Sequence, residues 1–368
     1  MYLPEDIILE ILSRLPVKSL IRFRCVCKSW NTLPNNSRFI TNHFRTFSSI
    51  EGSEFLLVSR REVTTNKRVV SLMKNDGNDT FVDQNLQLFL NVEFGHVRLI
   101  GPCNGVICLY GFPDNIALWN PMLRDFKILP RSQVPRPSGS KVRGGDLGFG
   151  FDSTTRTFKV MQILFCISTD RLIYHVEIYY SNTNSWRKFE RVIPANIMFI
   201  NIWSMVYKNE TFCWWANDWE NYDEMILSFD MRKEIFKKTP FPCGIEVIGG
   251  ENKKTRAILP IKESISLIVY STKKIDKVFD IWIMNELGEN REGWIKVSSI
   301  GPISGVERPL GFWNVNEFVL ESSGGELIMY DPKNRNIKKY GIYGKRNRLE
   351  ALVYKESLFP VNEDYANL

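Results

Sequence analysis

Few side chains in this sequence are spaced to do covalent chemistry. The only histidines, His43, His96 and His175, lie far apart in the chain, and a histidine with no partner nearby is more often a structural group than a general base. Ser71-Leu72-Met73-Lys74 and Ser271-Thr272-Lys273-Lys274 have the spacing in which a lysine activates a serine nucleophile. Neither opens a helical pattern and the companion S-D-N and K-T-G motifs are missing, so both read as chance matches. G-x-S-x-G, H-E-x-x-H, P-loop and dinucleotide fingerprints are also absent, and carboxylate pairs such as Asp223 and Glu224 have no glycosidase context. The expectation is a chain that binds rather than catalyses, without a cofactor.

Seven scattered cysteines contain no C-x-x-C pair, which argues against a zinc site and for reduced thiols. The net charge of +7 raises the question of nucleic acid. Its basic clusters, Arg131 to Arg143 and Lys333 to Arg348, lack the stacked-aromatic pattern of a single-strand binder and read as solvated loops. The sequence has no apolar run long enough for a bilayer and no signal-peptide pattern, which places the expected location in the cytosol, with the nucleus as a second possibility. Three glycosylation sequons, at Asn35, Asn78 and Asn209, then carry no meaning.

The elements that would position a binding surface fall into two kinds. In the first fifty residues Leu3, Ile7, Ile8, Ile11, Leu12 and Leu15 recur at helical spacing; Pro4, Glu5 and Asp6 suit a first turn, and Pro16 stops the helix. Val17, Leu20 and Ile21 outline a second short helix, and Phe23, Val26, Cys27, Trp30 and Leu33 a third. Helices this short bury little surface among themselves, so the segment needs a partner, either its own body or another protein. Residues 35 to 50 read as a further helix or a linker.

The rest of the chain is strand, turn, strand. Leu99 to Leu109 is a hairpin signalled by Asn104-Gly105. An aromatic strand, a turn opening with Asn or Asp and a second strand recur at Asn120, Asn182, Asp230, Asn285 and Asp331, 46 to 62 residues apart. With an upstream strand pair for each, the pattern predicts a kelch-like β-propeller of about six blades. The sixth joins residues 55 to 95 to Ala351-Leu352-Val353-Tyr354 and closes the ring. An open stack or a pair of β-sandwiches would also accommodate the strands. The fold class is therefore α+β and multidomain, with a three-helix unit over residues 1–50 and an all-β unit over 51–368.

Two resemblances sharpen this. Leu3 to Leu20, followed by Arg22-Phe23-Arg24-Cys25-Val26-Cys27-Lys28-Ser29-Trp30, closely resembles the plant F-box. Gly101 to Gly105, Leu118 to Pro121, Gly148 to Asp152, Tyr180 to Trp186, Phe229 to Met231 and Leu352 to Leu358 resemble, in that order, the F-box-associated domain of plant F-box proteins, and the chain resembles the S-locus F-box and S-locus F-box-like proteins among them. The resemblance implies the substrate receptor of an SCF-type E3 ubiquitin ligase, docked on a Skp-type adaptor and through it on a cullin. It implies adaptor contacts at Leu3, Pro4, Ile8, Leu12, Leu15, Pro16, Val17, Leu20, Phe23, Val26 and Trp30. An F-box scaffold that binds without causing degradation is the alternative.

The S-locus kinship implies a secreted-type ribonuclease as substrate, and such proteins are basic, whereas residues 1–50 carry +4 and the remainder +3. Substrate contacts are expected in loops at one face of the propeller. One is the Pro- and Gly-rich basic segment with Arg131, Arg136 and Arg143; the other is Trp219, Tyr222, Asp223 and Glu224, where hot-spot aromatics meet carboxylates. Of Trp214 and Trp215, on alternating strand faces, at least one is expected to fill a blade core.

Overall fold

A computed structural model describes residues 4–74, 84–86, 97–111, 114–168, 171–191, 193, 196–199, 205–243, 245, 254–262, 264–285, 293–313 and 317–362. Four short helices open the chain: α1 (Glu5–Ser13), α2 (Val17–Phe23), α3 (Lys28–Thr32) and α4 (Ser37–Ser48). Pro4 and Pro16 sit at the N-cap positions of α1 and α2 without a side-chain cap, as residues lacking a side-chain acceptor must. The fourth helix, left open between helix and linker by the sequence, is the longest. Asn36 caps it, its side-chain oxygen accepting the N–H groups of Arg38 and Phe39 at 2.9 and 3.1 Å. Asn36→Ala is expected to cost about 1 kcal/mol, read as a lower Tm of the full chain.

Six antiparallel sheets follow, a six-bladed propeller. In chain order, the strands between Val97 and Ile128 form the second blade, Lys141–Lys188 the third, Ile197–Pro240 the fourth, Lys254–Ser304 the fifth and Val306–Tyr343 the sixth. The first blade has the order Glu350–Lys355, Glu54–Arg61, Arg68–Lys74, Gln84–Leu86, so the last strand of the chain is laid beside the first.

The turn that the sequence placed after each aromatic strand has a common backbone. Arg124, Asn184, Glu234 and Arg335 all have φ near +50°, each the last of the four turn residues in the hairpin that joins the last two strands of its blade. Asn120, Asp230 and Asp331 accept N–H groups two residues on, which fixes these turns. Asn104-Gly105, both at positive φ, make the hairpin expected between Val97–Cys103 and Val106–Gly111.

The residues fall into two compact units, Met1–Val58 with Val70–Arg131 and Leu352–Leu368, and Ser59–Val69 with Ser132–Ala351. In the first, Leu57, Leu72, Leu109, Trp119 and Tyr354 form one apolar core. In the second, Trp215, Phe241, Leu267 and Trp294 fill the space between the fourth and fifth blades, and Phe279, Phe318 and Tyr330 that between the fifth and sixth.

Candidate docking surfaces

The helical unit has a small core of its own. Leu12, Val17, Leu20, Phe39, Ile40 and Phe47 are buried, and His43 is buried among them with its ring stacked on Phe47. His43 Nε2 lies 2.8 Å from the Leu15 carbonyl, so in the tautomer that donates there it caps the end of α1. Burial pushes the His43 pKa down, against the pull of that carbonyl, and the ring stays neutral. It is a structural histidine. His175 is likewise buried, in a strand 4.0 Å from Glu177, and His96 lies outside the described residues.

The unit is clamped by the chain's end. Val17, whose N–H opens α2 after Pro16, donates to the Glu356 carboxylate at 2.8 Å. Lys355 Nζ donates to the Ser48 carbonyl at 3.1 Å and pairs with Glu54 at 3.0 Å, and Phe44 meets Phe359 edge to face. The Glu356 carboxyl is raised by burial, partly offset by the Val17 N–H and the Lys74 charge. Sequence reasoning missed this clamp. Lys355 and Glu356 stand in one more short motif, and nothing local says that their side chains meet the end of α4 and the start of α2, more than 300 residues away.

Of the eleven residues implied to meet an adaptor, Leu3 lies outside the described residues. Pro4, Pro16, Phe23 and Val26 are exposed, and Ile8, Leu15 and Trp30 half-buried. Leu12, Val17 and Leu20 are at most 3% exposed, inside the unit, so in this conformation they hold its shape rather than offer surface. Two residues outside that set are open instead: Ile7 and Ile11, 47% and 48% exposed and one turn apart on α1. With Phe23, which packs on Trp30, and Val26, they leave the helical unit with several large apolar side chains in water.

The segments expected to meet substrate are placed less uniformly. Arg131 and Arg136 are exposed in the connection between the second and third blades, but Arg143 lies in the strand Lys141–Asp152, at a bulge between Val142 and Gly144. That part of the segment is strand, not loop. Trp219 and Tyr222 are 51% and 80% exposed at a hairpin tip where Asp218 N–H donates to the Asp223 carbonyl. Glu224 is different: it starts the next strand opposite Asn217 and its carboxylate is engaged by the buried Arg256 guanidinium. Arg256 is flanked by the rings of Trp215 and Phe241, with centroids 5.9 and 5.5 Å away. Burial raises the Glu224 carboxyl and lowers Arg256, each partly offset by the other's charge. Both Trp214 and Trp215 are buried as blade filling.

Among the described residues no cluster of His, Cys, Asp and Glu could hold a metal ion, and none of the seven cysteines is in a disulfide. No helix of the described residues is long and apolar enough to cross a membrane.

The described residues thus form a small helical unit with exposed apolar side chains, followed by a six-bladed propeller. The chain belongs to the F-box proteins with an F-box associated beta propeller domain, matching the F-box domain over residues 2–42 and the propeller domain over residues 54–362. Similar proteins of Arabidopsis thaliana include an F-box/kelch-repeat protein, 26% identical over 90% of this chain and 88% of its own length. Two F-box proteins, each 25% identical, match over 97% and 98% of this chain and 91% and 98% of theirs.

Proposed function

We propose that this chain is the substrate-recognition subunit of an SCF-type E3 ubiquitin ligase, not itself catalytic. Residues 1–50 dock a Skp-type adaptor and through it a cullin, and residues 51–368 select a protein for ubiquitination and proteasomal degradation in the cytosol or nucleus. The observation that carries this reading is the exposed apolar set Ile7, Ile11, Phe23 and Val26 on a helical unit clamped by Glu356 and Lys355 to the propeller's last strand. Such a unit is built to be covered by another protein while holding its own position.

The S-locus resemblance extends the proposal to a basic, secreted-type ribonuclease as substrate. The carboxylates on the hairpin after Thr211–Asp218 favour it, and the mildly basic charge of the propeller does not. Co-expression with a Skp-type adaptor and a cullin tests the receptor role. A captured partner is expected to accumulate when the proteasome is inhibited; a partner captured but equally abundant with and without inhibitor would instead make the chain a scaffold.

A further inference from the structure

The basic run Lys333 to Arg348 does not stay together in the fold. Lys333 and Arg335 lie in the turn that joins the last two strands of the sixth blade, and Lys338 and Lys339 on its outer strand, Asn336–Tyr343. Lys345, Arg346 and Arg348 lie past the other end of that strand, in the connection 344–349 that leads to Glu350–Lys355 of the first blade. There they meet a second basic segment. Lys345 N–H donates to the Arg61 carbonyl at 2.8 Å, and at the next residue Glu62 N–H donates to the Lys67 carbonyl at 2.9 Å, closing the hairpin 62–67. The Arg60 side chain lies against Gly344. Both segments belong to the second compact unit.

The corner they form is pinned from several sides. Gly344 N–H donates to the Gly325 carbonyl at 2.9 Å, and Asn347 N–H to the Glu321 carboxylate at 2.6 Å. Arg308, paired with the same carboxylate at 2.8 Å, donates to the Leu349 carbonyl at 2.6 Å. On the hairpin, Thr65 donates to Glu62 at 2.6 Å and Arg61 to Asn66 at 3.3 Å. A partner bound here would have little of this backbone left to order.

The corner is also where the positive charge of the propeller gathers. Residues 60–68 and 344–350 carry seven Lys and Arg against two Glu. Counting in Glu307, which Arg346 pairs with at 2.5 Å, still leaves an excess of four, more than the +3 of residues 51–368 as a whole. Lys67, Arg346 and Arg348 are exposed, and Arg60, Arg61 and Lys345 half-buried. Such a concentration attracts anions over several ångströms, and the Arg forks suit carboxylates. Glu62 and Glu307 interrupt the positive charge, which fits separate carboxylates better than an unbroken row of phosphates.

We propose that this corner, the hairpin 62–67 with the connection 344–349, binds an acidic segment, rich in Asp and Glu, of the protein that the receptor selects. The proposal rests on the receptor reading and deepens it, and it concerns one segment of the substrate rather than its overall charge. Its probe is a labelled dodecapeptide of alternating Glu and Ser, titrated into the full chain. The Glu peptide is expected to bind, more weakly as salt rises, and its Gln counterpart is not. Lys67→Gln with Lys345→Gln, and Arg346→Gln with Arg348→Gln, should each weaken it roughly tenfold. Lys237→Gln with Lys238→Gln removes the same charge from exposed positions on the outer strand of the fourth blade and should leave affinity within about twofold. Among the described residues neither the Lys67 nor the Lys345 ammonium holds the corner together, so the lysine pair decides the matter should the arginine pair lower the Tm. A single-stranded oligonucleotide of equal charge should bind more weakly than the peptide. No binding of the Glu peptide, unchanged affinity in the lysine pair, an equal loss in the fourth-blade variant, or tighter binding of the oligonucleotide would each overturn the proposal. Failure of the unmodified chain to capture a Skp-type adaptor would instead overturn the receptor reading and leave the peptide result standing as a property of the propeller.

Discussion

Lys159→Met is expected to destabilise the chain by about 3–5 kcal/mol, more than any surface substitution should. Lys159 comes from the third blade, and its side chain is 4% exposed. It lies 3.0 Å from Asp152 and 2.7 Å from Glu234 and donates to the Met231 carbonyl at 2.7 Å, while Tyr180 donates to Glu234. Glu234 and Met231 belong to the fourth blade, so a single cation ties two blades together. The methionine would fill much of the volume but leave the Asp152 carboxylate buried without its counter-charge. Glu234 is 30% exposed and can turn to water; Asp152, at 3%, cannot.

The pH dependence follows from Asp152. Burial pushes its carboxyl up, but the hydrogen bond from Lys159 and those from Thr155 override this and hold it below the usual carboxylate range. A depressed pKa contributes stability that is present above the unfolded value of about 3.9 and is lost as pH falls through the folded value. Without the lysine, burial is opposed only by the hydrogen bonds from Thr154 and Thr155, so the carboxyl moves up from its place in the parent and protonation relieves the variant. The Tm gap between the parent and Lys159→Met should therefore be widest near neutrality and narrow on acidification. Lys159→Met combined with Asp152→Asn should recover part of the loss. A single variant with the parent's Tm at pH 7 would show that the blade contact does not depend on this cation.

Much of this architecture was legible because its signals are local. Asn104-Gly105 dictates a tight hairpin, and the Asx residues at Asn120, Asp230 and Asp331 fix turns that repeat along the chain, so counting them counts blades. Pro4 and Pro16 bracket a helix for reasons of backbone chemistry alone. The binding surfaces were less legible because they depend on which of two apolar stripes faces inward. On α1 the pairs Ile7–Ile11 and Ile8–Leu12 lie side by side, and periodicity gives both the same hydrophobicity. Only the packing of α4, through Phe39, Ile40, His43 and Phe47, decides that Leu12 goes inside and Ile11 stays out. Glu224 was misjudged for the same reason. Beside Asp223 in the sequence it looks like a tip carboxylate, but Arg256, thirty-two residues later, takes it into the blade.

That sorting of α1 sets up the other large effect. Ile7→Gln with Ile11→Gln is expected to lower affinity for a Skp-type adaptor by roughly tenfold to a hundredfold, because about half of each side chain is still in water and covering that half contributes about 0.8–1.5 kcal/mol each. Glutamine is at least as good a helix former as isoleucine and both positions face water, so the Tm should not fall. Leu12→Ala should also weaken capture, but by another route. It removes a side chain that is 2% exposed and is expected to cost about 2–5 kcal/mol of stability. Its loss of binding should track opening of the helical unit, read by hydrogen exchange of the α1 and α4 amides. The two routes separate at low temperature, where the helical unit of Leu12→Ala regains its fold and its binding while the glutamine pair stays folded and does not bind. Parent-level capture by the glutamine pair would place the adaptor on some other face of the helices and leave the exposed isoleucines without a role.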